Sequence, residues 1–408
     1  MRVLLWHGYL LGGTGSNVYT RALAREWSRS GHDVVVFCQD AHAGEYDLGG
    51  AEVVRPHIDG PLPVFVLDRY EGLEAKLLQD FTRAEREHYV ARNVAAVREH
   101  LPADVVFANH VLLGGAVGAG VGAPFIVKAH GSELEYSMRG NAELSAWGRE
   151  ALAPAEAVVV GSAHIRAVLD EVVGHVDHVH EVPPGVDVDL FRPEPRPEAL
   201  ARLIAAARAD APNSGNDRLP DDGNAERLAE FFASEAPTVV YFGKLLFNKG
   251  VHVLLDAVRE VGARAVVVGF GDYRNELQAM APPGTLFTGP LEHRHLVHLL
   301  PLADVCVVPS IFPEAFGMVA AEAAAAGVPP LVARHSGLAE IAAGIEAEYP
   351  PDLRDLAGYE GDLEPKLRRL LELPSKTRIE LGAAARRAVV ARWSWSSVGE
   401  RLLSLHLR

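Results

Sequence analysis

The chain has 408 residues, beyond the roughly 250–300 at which a single core stops growing, and 49% are hydrophobic against 23% charged, so two packed domains are expected rather than a disordered or fibrous chain. A formal net charge of -15 excludes a general basic face for nucleic acid or anionic lipid, and any phosphate must meet local cations. The two cysteines, Cys38 and Cys306, lie far apart inside apolar runs and read as reduced core residues, one to a domain.

The N-terminal run MRVLLWHGYLLGG is short and lacks a small-residue cleavage site, so it reads as a first strand and not a signal peptide. No stretch approaches the roughly 20 apolar residues of a membrane span, and a cytoplasmic protein is expected. His7 ends this strand, and Tyr9 follows. The loop LGGTGSN, with Gly12, Gly13 and Gly15, then leads into the helical VYTRALAREWSRSG. Such glycines admit close backbone approach to a ligand or simply make a tight turn. A dinucleotide fingerprint is not met, because Val18 stands at its third glycine. After the strand DVVVFC, residues 72–101 carry Leu73, Leu77, Phe81, Val90, Val94, Val97 and Leu101 mostly at helical spacing, which predicts one long amphipathic helix or two with a solvated, mixed-charge face.

The strands DVVFANH, PFIVKAH and AVVVGSA follow, and their alternation with helices predicts a parallel sheet. Ligands collect at the carboxyl ends of such strands. That rule selects His7, Asn109, His110 and His130, with Glu133, Tyr136 and Arg139 just beyond. Singly, each histidine suits a hydrogen-bonded structural role, and their shared position at strand ends is what makes them candidates. No HxxxH or close His/carboxylate spacing supports a metal.

The prolines of PPGVDVDLFRPEPRPEAL suit a hinge, and APNSGNDRLPDDGNA, near 210–226, reads as a flexible surface insertion. The strand grammar then restarts with PTVVYFG, RAVVVGF, TLFTG, DVCVVPS and VPPLVA, which predicts a second α/β domain. Gly243 ends its first strand, and Lys244 and Lys249 follow before a helix, as surface lysines or as cations for a diphosphate. In PEAFGMVAAEAAAAG, Glu314 precedes a helix and Glu322 lies within it among small apolar residues. A carboxylate there is costly to bury unless it accepts hydrogen bonds, which sugar or ribose hydroxyls can donate. The helix-start amides near Phe316, Gly317 and Met318 suit a phosphate. A final helix is predicted over 391–408.

These motifs in this order resemble the retaining glycosyltransferases of the GT-B fold, family four. The resemblance rests on the loop Gly12–Gly15, HGSE from His130, PPGVDVDLFRP from Pro183, GKLLFNKG from Gly243, VVGFGD from Val267, and the E-x7-E pair Glu314/Glu322. It implies two Rossmann-like domains facing across a cleft: 1–190 for the acceptor, 191–390 for the donor, and a helix at 391–408 crossing back to the first. By resemblance, Glu314 binds donor-sugar hydroxyls, Glu322 the ribose, and Lys244, Lys249 and the amides of Gly317 and Met318 the diphosphate. His130 lies beside the reacting carbon, and backbone near Leu291 meets the base. Gly13, Gly15, Gly243 and Phe316 complete the donor contacts. The acceptor candidates are His7, Tyr9, Asn109, His110, Glu133, Tyr136 and Arg139.

The implied reaction moves a hexose or N-acetylhexosamine from a nucleotide-diphosphate sugar, UDP-linked by preference or GDP-linked, to a soluble small-molecule or saccharide acceptor. No metal or other cofactor is expected, although Asp187 and Asp189 imitate a metal-binding D-x-D. Donor binding is expected to close the hinge at 183–195. Alternatives are a nucleotide-sugar epimerase of the same fold and a dinucleotide-dependent oxidoreductase using Asp40 as its ribose-binding acid. Three departures from the family pattern stand out: Lys244 in place of Arg, Ser336-Gly337 in place of Gly-Gly, and the insertion at 213–224.

Overall fold

The computed structural model describes residues 1–12, 15–66, 72–213 and 215–407. The chain forms two units, Met1–Gly185 with Trp395–Arg408, and Val186–Ser394.

In the first unit the strands are β1 (Arg2–Trp6), β2 (Asp33–Phe37), β3 (Glu52–Val54), β4 (Leu62–Val64), β5 (Ala75–Leu77), β6 (Val105–Asn109), β7 (Phe125–Lys128), β8 (Ala157–Val160) and β9 (Val179–Glu181). Seven of them form a parallel sheet in the order β3-β2-β1-β6-β7-β8-β9, and β4 pairs separately with β5. Successive side chains alternate between faces, so Leu4, Trp6, Val35 and Phe37 enter one apolar cluster while Val3, Leu5, Val34 and Val36 enter another. Helices cover both faces, which explains why the strands read as continuous apolar runs.

Of the one long helix or two expected over 72–101, a single α-helix forms, and it is shorter than the periodicity suggested. Residues 75–77 leave it to pair with β4, and a single turn, Leu78–Asp80, follows. The helix itself spans Arg83–Arg98 and starts at a capping box, in which Thr82 Oγ1 accepts from the Glu85 amide and the Glu85 carboxylate accepts from the Thr82 amide at 2.7 Å. A cap of this kind ends the helix backwards, whatever apolar spacing lies upstream.

In the second unit, β10 (Thr238–Phe242), β11 (Arg264–Val268), β12 (Thr285–Phe287), β13 (Val305–Val308), β14 (Pro330–Ala333) and β15 (Gly358–Tyr359) form a parallel sheet in the order β12-β11-β10-β13-β14-β15. Cys38 and Cys306 are buried free thiols, one in each unit. The segment predicted as one helix over 391–408 breaks at Ser394, which is extended. The helix Ser375–Trp393 ends there and a new one, Trp395–Ser404, begins. This last helix belongs to the first unit: Val398 and Leu402 join its core, and Trp27 Nε1 donates to the Gly399 carbonyl at 3.1 Å. No described helix is long and apolar enough to cross a membrane.

Candidate active site

Strand order reverses direction between β1 and β6 in the first sheet and between β10 and β13 in the second. Such switch points open a crevice at the carboxyl ends of the strands. The residues beyond β1 and β6 are His7 and His110, and those beyond β10 and β13 run from Gly243 and from Pro309.

In the first unit six of the predicted residues come together. His7 is fully buried, with Nε2 at 2.8 Å from Asn17 Oδ1 and 3.1 Å from the Leu10 carbonyl. Its ring lies 5.9 Å from that of His110, which in turn is 4.8 Å from His130 and 5.1 Å from Tyr9. Asn109, the last residue of β6, places Oδ1 2.8 Å from His130 Nε2. Glu133 is also fully buried; its carboxylate takes the His130 amide at 3.1 Å and lies 3.0 Å from His110 Nδ1. Burial first, and then His110, lowers the His7 imidazole to about 3; His130 is held well below its ordinary value by burial, His110, Lys128 and His7. These rings are therefore neutral at physiological pH and act as hydrogen-bonding groups, not as proton donors.

Tyr136 is exposed on the turn Leu134–Met138, and the exposed Arg139 is engaged by Glu135 and Glu171. Gly13 lies outside the described residues. Gly15 opens the first helix, where a Cβ would meet nothing within 4 Å, so sterics alone do not demand glycine there. The carboxylate of Asp40 accepts from the amides of Leu11 and His42, both at 2.8 Å, a structural role that removes it as a ribose-binding acid. Sequence reasoning missed Asn17, whose amide also donates to Gly12 O, and Phe65, whose ring lies 4.9 Å from His110. Asn17 closes the loop LGGTGSN, where attention fell on the glycines, and Phe65 belongs to no motif. Sequence reasoning also passed over Lys128, which is buried at the end of β7, donates to Val182 O at 3.3 Å and is lowered to about 7 by desolvation.

In the second unit, Lys249 Nζ meets Glu314 Oε1 at 2.5 Å, with both side chains roughly a quarter exposed. Lys244 is exposed and, among the described residues, has no carboxylate partner. Its carbonyl takes the Tyr241 hydroxyl at 2.7 Å, which fixes the turn after Gly243. Glu322 lies on the helix Met318–Ala325, and burial raises its carboxyl to about 8; His293 Nε2 is 3.8 Å away. Phe316 turns its side chain into the core against Trp393, which leaves only its backbone available for the predicted contact. Gly317 caps the helix at φ +112, where a Cβ would come within 2.8 Å of Leu338, so glycine is required and the amides of the first turn stay open. Leu291 is half-buried between β12 and the helix His293–Leu299.

Ser336, one of the departures from the family pattern, adopts φ +48 and accepts the Glu314 amide on Oγ at 2.8 Å. Its neighbour His335 lies 3.1 Å from Ser336 Oγ through Nδ1 and 2.6 Å from the Ser310 carbonyl through Nε2. Nε2 therefore carries the ring proton, and the Ser336 hydroxyl donates to Nδ1. No described group of three or more His, Cys, Asp or Glu side chains is arranged to hold a metal.

Residues 13–190 match the glycosyltransferase family 4 model, and residues 224–352 match that of glycosyl transferases group 1. A GDP-mannose-dependent monoacylated alpha-(1-6)-phosphatidylinositol monomannoside mannosyltransferase of Corynebacterium glutamicum is 30% identical over 46% of this chain and 51% of its own length. A D-inositol 3-phosphate glycosyltransferase of Acidothermus cellulolyticus is 26% identical over 96% of this chain and 85% of its own length. The chain thus spans about half of the first relative and most of the second. The structure of sucrose-phosphate synthase from Thermosynechococcus elongatus superposes with a TM-score of 0.66 at 20% identity, covering 100% of this chain and 98% of that one, and so shares the fold. With two family matches that together take in most of the sequence, and a parallel sheet in each of its two units, the chain belongs to the family 4 glycosyltransferases.

Proposed function

We propose that this glycosyltransferase moves a hexose or N-acetylhexosamine from a nucleotide-diphosphate sugar, UDP-linked by preference or GDP-linked, to a soluble small-molecule or saccharide acceptor with retention at the anomeric carbon. The observation that carries the reading is the strand-end cluster of the second unit: Lys249 paired with Glu314, a Lys244 with no carboxylate partner among the described residues, helix-start amides at 317–318 with no side-chain cap, and a largely buried Glu322 whose carboxyl is raised to about 8. A diphosphate draws Lys249 from Glu314 and frees that carboxylate for sugar hydroxyls, while Glu322 accepts from the ribose.

In the transfer step an acceptor oxygen bonds to the anomeric carbon as the bond to the diphosphate breaks. The acceptor proton passes to the departing phosphate oxygen, and the lysines stabilise the charge that develops. His130, kept neutral by its surroundings, serves this step by hydrogen bonding to the sugar. The first unit carries the acceptor candidates His7, Tyr9, Asn109, His110 and Glu133. No step is assigned to a metal.

The test is incubation with UDP-, GDP- and ADP-sugars while free nucleoside diphosphate is followed, with the anomeric configuration of the product read by NMR. Slow release of diphosphate with the anomer retained supports the proposal. Epimerisation at C2 without release, or inversion, overturns it.

A further inference from the structure

The insertion singled out in the sequence is not a detached loop. It runs between the helices Arg196–Arg208 and Asn224–Phe231 and is organised by Asn213, whose side chain donates to the carbonyls of Asn216, Leu219 and Pro220 and accepts from the amides of Gly215 and Asn216. Its far end is stitched to the carboxyl edge of β12. The Asp221 amide and the Asn224 side chain both donate to the Thr288 carbonyl at 2.9 Å, and Arg274 pairs with Asp221 at 2.5 Å. Gly289 accepts this approach at φ +68: a Cβ there would come within 2.7 Å of Asp221 Oδ1.

Between these anchors Arg218 is exposed, and its guanidinium stands 5.7 Å from the centre of the Phe270 ring, in the turn that follows β11. Neighbouring arginines are neutralised, Arg227 and Arg274 by Asp221 and Arg294 by Asp210, but Arg218 has no carboxylate partner among the described residues. An unpaired planar cation thus sits over the carboxyl end of β11, beside the strand β10 that leads to Lys244 and Lys249. The lysines mark where the diphosphate lies, so a nucleotide running from β10 across β11 toward β12 brings its base end to Arg218.

We propose that Arg218, presented by the insertion, is a specificity-determining residue for the nucleotide base and selects bases with a carbonyl acceptor on the edge it faces. This rests on the reading of the second unit as the donor site. A guanidinium offers parallel N–H donors, which match O6 and N7 of guanine as a pair and O4 of uracil singly, whereas the exocyclic amine of adenine presents a donor against it. The insertion is thus a base selector built on the edge of the nucleotide sheet.

The experiment measures binding of GDP, UDP, ADP and inorganic pyrophosphate by calorimetry to the full chain and to its Arg218→Ala and Arg218→Lys variants, with thermal melting as the control for folding. The wild type is expected to bind GDP or UDP at least tenfold more tightly than ADP. Arg218→Ala should shrink that ratio to about threefold or less while leaving pyrophosphate unchanged, and Arg218→Lys should recover little, because it keeps the charge and loses the fork. An equal loss for all four ligands would make Arg218 a phosphate contact, and an unchanged ratio in Arg218→Ala would remove it from the site; either overturns the proposal while donor binding in the wild type stands. A wild type that binds no nucleoside diphosphate overturns the donor-site reading itself.

Discussion

On the proposed ribose contact, Glu322 should couple nucleotide binding to a proton. Burial holds its carboxyl at about 8, so at pH 7 the empty site carries about 0.9 of a proton on this group. A ribose diol donates hydrogen bonds, and an ionised carboxylate can only accept them, so binding favours the ionised form. Nucleotide binding at pH 7 should therefore release up to about 0.9 proton, and affinity should rise with pH between 6 and 8 by as much as about tenfold per pH unit. Replacement by Gln keeps the shape and removes the titration. Glu322→Gln should abolish the release, flatten the pH dependence, and weaken binding at pH 8 by the roughly 1.5–3 kcal/mol of a hydrogen bond to a charged group.

The same shift acts on the fold. Because the folded-state value is raised, the native protein binds more protons than the unfolded chain between about pH 4.5 and 8, so the empty protein loses stability as pH rises through that window, by an upper bound of roughly 5 kcal/mol. The Gln variant should lack this component. Calorimetry with UDP or GDP in buffers of different ionisation enthalpy reads the proton directly. Tight binding with no buffer-dependent heat, or a Gln variant with the wild-type pH profile, would refute the reasoning.

Lys244→Ala/Lys249→Ala should weaken nucleoside diphosphates far more than the parent nucleoside, since charge-assisted bonds are the stronger kind; equal losses in a titration of both ligands would point to a damaged fold. His130→Ala should lower kcat by more than it weakens donor binding, because its proposed partner is the sugar. A pure loss of nucleotide affinity in steady-state kinetics speaks against that role. Ser336→Gly loses the hydroxyl bond to Glu314 but relieves the left-handed backbone, whereas Ser336→Ala loses the bond and keeps the strain, so Ala should be the less stable by about 1 kcal/mol in denaturant unfolding. An Ala variant as stable as the Gly variant would show the backbone unstrained.

The alternation of β-branched runs with helices made both parallel sheets legible, because strands covered on two faces leave continuous apolar runs such as Val34–Phe37 and Ala265–Val268. The strand-end rule singled out His7, Asn109, His110 and His130, whose side chains do lie together. Periodicity failed where a stronger local signal competed, as at Thr82 and Glu85, and across Ser394, where the chain needs only one extended residue to separate two helices. Partners that depend on distant chain meeting distant chain were not legible: Phe65 on His110, and Ser310, His335 and Ser336 in one relay. Nor does sequence spacing say that Arg139 is engaged by Glu135 and Glu171 while Glu133, six residues earlier, is sealed in the core.

The return of the C-terminal helix makes the second unit an insert within the first. Its two ends meet: Val186 donates to the Trp393 carbonyl at 2.7 Å and forms a bridge with Ser394. A segment whose entry and exit lie side by side behaves as a cassette, exchangeable at two adjacent points without cutting either sheet. The last fourteen residues, in contrast, are not a removable tail. Ending the chain at Ser394 takes Trp395, Val398 and Leu402 from the core beside Trp27, whose partner Gly399 lies 372 positions on in sequence, so the damage falls on the unit that begins at Met1 while the second unit keeps every residue of its own.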